Sequence, residues 1–177
     1  MLVSLAQQRG WKAVGVEVGV YRSKICREKF GLDVRTGTLE SAQFPAAFAD
    51  AIAMRHLLEH VEDPVNLLRE ALRVLRSNGV LLIECPNPLS WEKTFRHWWR
   101  RLVYGRRTWR PRKMLPMHLV EFPPKVLASK ARELGFEVSS LCTYSHREHH
   151  SALGLALLGW YHRRGLGSKF RLVLRKP

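Results

Sequence analysis

The run His56-Leu57-Leu58-Glu59-His60 places two imidazoles and a carboxylate within five residues. Imidazoles titrate near neutral pH, and both group types can take a proton from a nucleophile or hold a substrate by hydrogen bonds. The same letters spell the inverted zinc-protease pattern H-x-x-E-H. That chemistry needs both histidines on one face of a helix and a further ligand elsewhere. Here the run follows a strand and precedes Asp63-Pro64, a helix-start pair, so a loop or short turn is expected and the protease reading is set aside. Glu59 and His60 are candidate catalytic groups; the plain alternative is that they only fix their loop.

A second acidic residue stands where ligands gather. In an open α/β sheet, ligands bind beyond the carboxyl ends of the strands. Ala13 to Val18 is a short β-branched run expected to be a buried strand, and Glu17 lies at its end. A carboxylate there can accept both hydroxyls of a ribose. The alternative is an ordinary exposed strand-end glutamate.

The elements that position these groups alternate between helix and strand over residues 1–90, which predicts a parallel sheet covered by helices. Leu2 to Arg9 reads as a helix end closed by Gly10, and Tyr21 to Phe30 as a charged amphipathic helix with Gly31 at its left-handed cap. Strands are expected near 33–36 and 49–54. Asp63 and Pro64 open the next helix, with Val65, Leu68, Leu72 and Leu75 as one apolar stripe. Ser77-Asn78-Gly79 stops it, and Val80 to Cys85 is an apolar strand of the kind buried on both faces. Further on, a helix is expected over 123–134, strands over 136–144 and 170–174, and a small-residue apolar helix over 151–161.

Charge is distributed unevenly. Residues 1–90 carry 11 Lys/Arg against 10 Asp/Glu, whereas residues 91–177 carry 19 against 5. Such a patch favours anionic partners or is simply a solvated basic face. Cys26, Cys85 and Cys142 form no C-x-x-C pair, which reads as reduced thiols in a cytoplasmic setting. The apolar stretch 151–161 is too short to span a bilayer, which takes ~20 residues.

Several segments together resemble a known family. Gly15-Val16-Glu17, the run Asp50 to Pro64 (DAIAMRHLLEHVEDP) and the run Arg69 to Asn87 (REALRVLRSNGVLLIECPN) occur in the expected order. A weaker match, Pro116 to Phe122 (PMHLVEF), precedes a helix ending in ELGFEV. These resemble the class I S-adenosylmethionine-dependent methyltransferases of the ubiquinone and menaquinone methyltransferase-like group. The resemblance implies one domain over 1–177, a Rossmann-like mostly parallel sheet with helices on both faces, and a last strand lying antiparallel between the two before it. Residues 1–90 would be the nucleotide-binding part, 91–122 a basic aromatic insertion or lid, and 123–177 a C-terminal helix-strand part.

The resemblance also assigns residues. Glu17 would hold the ribose of S-adenosylmethionine, Thr38 and Leu39 would lie beside its adenine, and Met54 and His56 would pass under its methionine part. His118, in the segment that covers the substrate, joins Glu59 and His60 as a catalytic candidate. Some members hold a metal at this cluster with a carboxylate where this chain has His56, so no metal ligand is expected here. The acceptor would be small or lipid-linked.

One departure stands out. The family's first strand ends in a glycine-rich GxGxG turn, where glycines allow close backbone approach to the cofactor. Nothing before Glu17 supplies it, so the fold is expected to be incomplete at its N-terminus, either as a fragment or as a degenerate, non-catalytic member binding anions or membranes. Its absence would leave two inner strand edges unpartnered or force them together. The remaining strands are nonetheless expected in one sheet, and a split between two sheets would count against the resemblance.

Trp91 to Tyr104 sets Trp91, Phe95, Trp98, Trp99 and Leu102 at helical spacing among basic residues, and a basic linker runs from Arg106 to Lys113. Rings and cations together suit a lid or the headgroup region of an anionic membrane. Contact through residues 91–113 at the inner membrane face is the expectation, and nucleic acid is not the expected partner.

Overall fold

The structure, a computed structural model, describes residues 2–91, 99, 118–145 and 165–177. The chain divides into two compact units, Met1–Phe48 and Ala49–Pro177.

In the first unit, helix α1 (Leu2–Gln8) leads to strand β1 (Gly15–Glu17), helix α2 (Val20–Phe30) and strand β2 (Val34–Thr36). β1 and β2 pair in parallel, with Glu17 opposite Thr36. Gly15 permits a close approach: a Cβ would come within 3.1 Å of a Val34 methyl and 3.2 Å of a Val3 methyl, so both would have to shift. α2 ends on Gly31, whose φ of 61° is the left-handed cap expected. Its expected amphipathic stripe is not found, since Ser23 is its one buried residue. Polar bonds hold it instead. Ser23 Oγ lies 2.7 Å from Thr36 Oγ1, and Arg27 donates to the Val34 carbonyl at 2.9 Å. β1, expected to be buried, is only half-buried to exposed. A two-stranded sheet has too little surface to bury its strands.

The second unit holds β3 (Ala49–Arg55), a 3-10 turn (Leu58–His60), α3 (Pro64–Val74), β4 (Leu75–Pro86), α4 (Pro124–Glu133), β5 (Glu137–Tyr144) and β6 (Lys169–Arg175). Its sheet order is β3-β4-β6-β5. β3 and β4 are parallel, while β6 runs antiparallel between β4 and β5. The last strand thus occupies the place the resemblance implies. Alternate residues make the core: Met54, Leu81, Ile83, Cys85, Phe170, Leu172 and Leu174 are all within 3% of full burial. Helices α3 and α4 bring Leu67, Leu68, Ala71, Val74, Leu127, Ala128 and Ala131 to that core.

α3 starts as expected, with Asp63 accepting a hydrogen bond from the Asn66 amide at 2.9 Å and Pro64 at the first position. The helix buries Leu67, Leu68, Ala71 and Val74; of the expected stripe, Leu68 is buried, Leu75 is buried just past the helix end, and Val65 and Leu72 are half-buried. Ala71 is the reason the pattern misled: a small residue at the centre of a contact carries little hydropathy signal, yet it lets a helix approach a sheet closely.

The single-sheet expectation does not hold, because the strands fall into one two-stranded and one four-stranded sheet. Among the described residues no strand pairs with the second edge of β1 or of β3. The one sheet implied by the resemblance is thus not found, although the order β3-β4-β6-β5 with an antiparallel last strand is kept.

Candidate functional site

Glu17 ends β1, and its carbonyl accepts the Gly37 amide at 3.0 Å, drawing the turn after β2 alongside. Its Oε1 accepts the Gly19 amide at 2.8 Å, which leaves Oε2 without a partner among the described residues. Thr38 is exposed and caps its own turn through Ser41, whose amide donates to Thr38 Oγ1 at 3.2 Å. Leu39 follows it, half-buried. The first unit thus gathers Glu17, Thr38 and Leu39 at the carboxyl ends of two neighbouring parallel strands.

The second unit places the rest. Met54 is 3% exposed, with its side chain in the core. His56 follows β3 with φ of 50°, a left-handed conformation that a histidine adopts only when its surroundings hold it. Two partners do so: Nε2 lies 3.1 Å from Lys169 Nζ and Nδ1 lies 3.2 Å from Glu59 Oε1. An ammonium only donates, so Nε2 accepts, and Nδ1 carries the proton donated to Glu59. His56 sits outside the turn that carries His60, so the two histidines share no helix face, as the protease pattern would demand.

Glu59 is the hub. It is 1% exposed, and its Oε2 accepts the Cys85 thiol at 3.4 Å. Burial, and then the charge and hydrogen bond of Glu59, push the Cys85 thiol far up, so it stays a donor. The Glu59 carbonyl also accepts the Leu119 amide at 2.8 Å, which docks the segment bearing His118. The rings of His60 and His118 meet edge to face at 5.0 Å. One ligand atom from each of Glu59, His60 and His118 lies within 4.8 Å of the others. His118 Nδ1 is buried with no hydrogen-bond partner, 3.8 Å from the nearest Glu121 oxygen. A buried polar atom of this kind normally meets a ligand or water. All three catalytic candidates are therefore brought together. Two imidazoles and a carboxylate are also a set that can bind a divalent ion.

Sequence reasoning missed Cys85, Lys169 and a charged row beside them. Glu84, 2% exposed, accepts from Arg171 Nε at 2.9 Å and Nη2 at 2.6 Å, and from Arg55 Nε. Burial opposes its ionisation, but the hydrogen bonds and charges of Arg171 and Arg55 outweigh that and hold its carboxyl below the usual range. The available signal was a lone acid inside the apolar run VLLIEC, since a buried charge must be paired. The residues expected to form the aromatic helix, basic linker and apolar helix lie mostly outside the described residues. Trp91 and Trp99 are described, 55% and 52% exposed.

Comparison with known proteins adds to this geometry. The methyltransferase domain family matches residues 1–141. A probable S-adenosylmethionine-dependent methyltransferase of Mycolicibacterium smegmatis is 28% identical over 115 residues, covering 65% of this chain and 39% of that protein. A Mycobacterium tuberculosis (strain H37Rv) protein of the same description is 26% identical over 115 residues, covering 65% of this chain and 36% of its own length. The match thus spans under two fifths of these relatives. A solved S-adenosylmethionine-dependent methyltransferase of Archaeoglobus fulgidus superposes with a TM-score of 0.68 at 17% identity, covering 99% of this chain and 80% of that one. At that identity the likeness speaks for the fold alone.

Proposed function

We propose that this chain, which belongs to the methyltransferase domain family, transfers the methyl group of S-adenosylmethionine to a small or lipid-linked acceptor. The convergence of Glu59, His60 and His118 at the end of the β3 turn carries the reading. Methyl transfer needs in-line orientation of acceptor and sulfonium, and a base where the acceptor must lose a proton. His118 Nδ1, buried and without a hydrogen-bond partner among the described residues, suits a group waiting for an acceptor. Glu17, with Oε2 open at a strand end, suits a ribose. Membership of the ubiquinone and menaquinone methyltransferase-like group rests on the quoted sequence runs.

Residues 91–113, with nine Lys/Arg and exposed Trp91 and Trp99, suit contact with an anionic membrane at the cytoplasmic face. No helix among the described residues is long and apolar enough to cross a membrane. A second reading, a non-catalytic remnant acting as a basic membrane- or anion-binding module, is favoured by the second edges of β1 and β3, with which no strand pairs among the described residues. Calorimetric titration of the 177-residue protein with S-adenosylmethionine and S-adenosylhomocysteine separates the two. Saturable binding that Glu17→Gln weakens supports the enzyme; no binding at millimolar cofactor favours the remnant.

A further inference from the structure

The row of charges across the second unit's sheet is more than a buried ion pair. In register, Arg55 stands opposite Glu84 and Glu84 opposite Arg171, with Lys169 two residues before Arg171 on the same face. This row lies at the carboxyl ends of the parallel strands β3 and β4, the end where sheets of this type hold ligands. Glu84 occupies Nε of Arg55 and both Nε and Nη2 of Arg171. It therefore fixes both guanidiniums without exhausting them. Among the described residues, both terminal nitrogens of Arg55 and Nη1 of Arg171 keep unspent donors. The side chains are 38% and 47% exposed. Tyr144, whose ring lies 5.4 Å beneath the Arg171 guanidinium, supports it from β5. Lys169 adds a third cation, held by the neutral face of His56. Three cations against one carboxylate leave the row at a net charge of about +2.

We propose that Arg55, Arg171 and Lys169 form an anion seat, prearranged by Glu84, that receives a carboxylate or phosphate group of the ligand. Resting on the methyltransferase reading, that ligand is the methyl acceptor, which makes the acceptor an acidic molecule. Planar guanidiniums held in fixed orientation bind such groups in bidentate fashion and lose little side-chain freedom in doing so. A merely solvated basic face would lack the buried carboxylate that aims them. His56 places the seat next to the reacting groups, since it touches Lys169 on one ring nitrogen and Glu59 on the other.

The test titrates the full chain, without cofactor, with inorganic phosphate and separately with benzoate, at constant ionic strength set by chloride. Because no methyl transfer is measured, failure of the enzyme reading and failure of the seat show up in different experiments. Saturable binding of at least one probe is expected, and which probe binds tells phosphate from carboxylate. Arg55→Gln and Lys169→Gln should each weaken it roughly tenfold, the scale of one hydrogen bond to a charged group. Arg175→Gln removes an equal charge from the same face of β6 and should change nothing. Far-UV circular dichroism establishes that each variant is folded. The seat is overturned if neither probe binds beyond the chloride control, or if Arg175→Gln weakens binding as much as Arg55→Gln.

Discussion

Arg171→Met tests whether the Glu84 carboxylate is held as an ion in the folded protein. Arg171 supplies two of the three arginine hydrogen bonds to Glu84, and the carboxylate is 2% exposed. Breaking a buried pair by removing one partner costs ~3–5 kcal/mol. The Arg171 side chain is 47% exposed, so water enters on that side and the cost falls to about 2 kcal/mol. Reversible urea denaturation at pH 7 measures it. The pH dependence carries the stronger check. The folded carboxyl of Glu84 is held below its usual range, so its contribution is present above the unfolded value and is lost as pH falls through the folded one. The gap between wild type and variant should therefore be full at pH 7 and shrink on acidification, because Glu84, still buried but short of Arg171, protonates in the variant first. Glu84→Gln combined with Arg171→Met should be less damaging than Arg171→Met alone, because no buried charge is left unpaired. A gap below about 0.5 kcal/mol at pH 7, or one unchanged between pH 7 and pH 3.5, would refute the ionised pair.

Glu17→Gln should weaken S-adenosylmethionine binding by roughly 1–3 kcal/mol, read by calorimetry on the 177-residue protein. Asp63→Ala removes the cap of α3 and should lower stability by about 1 kcal/mol in urea melts, with no change in ligand binding. Vesicle co-sedimentation should show binding to anionic but not neutral lipid that fades as salt rises, and replacing Arg100, Arg101, Arg106 and Arg107 with Gln should remove most of it. Equal binding to neutral vesicles would count against the membrane proposal.

The start of α3 and strands β5 and β6 were legible because local signals agree there: a cap, a proline at the first helical position, and apolar runs bounded by turns. The expected stop at Ser77-Asn78-Gly79 was wrong, since α3 ends at Val74 and those residues lie inside β4 (Leu75–Pro86). The position of His118 beside Glu59 and His60 was legible only through the family resemblance, since 58 residues separate His60 from His118 and no local pattern spans that distance. The Arg55–Glu84–Arg171 row was not legible. Its members lie on three strands, and their register depends on β6 entering between β4 and β5. α2 was misread for the opposite reason. Its charged periodic pattern suggested an amphipathic stripe, but Ser23 and Arg27 hold it to β2 by hydrogen bonds rather than by apolar contact.

The geometry around Glu59 shows what the histidine at position 56 does. A carboxylate there would bring a second negative charge beside Glu59, a pairing that costs energy unless a cation separates them. His56 instead donates to Glu59 and accepts from Lys169, so the carboxylate keeps one donor from His56 and one from Cys85. Both Glu59 oxygens are thereby occupied by side chains of the fold, which makes Glu59 better suited to orienting its neighbours than to accepting a substrate proton itself. The imidazoles of His60 and His118 lie against it, and His118 Nδ1 is the buried atom whose bonding need the described residues do not meet. If a histidine removes the acceptor's proton, His118→Gln should abolish methyl transfer while leaving cofactor affinity unchanged. Lys169→Met should lower turnover by freeing His56 to change tautomer, with the acceptor's KM rising as well because the seat loses a cation. Retention of full turnover by His118→Gln would return His118 to a structural role and leave orientation alone as the source of rate.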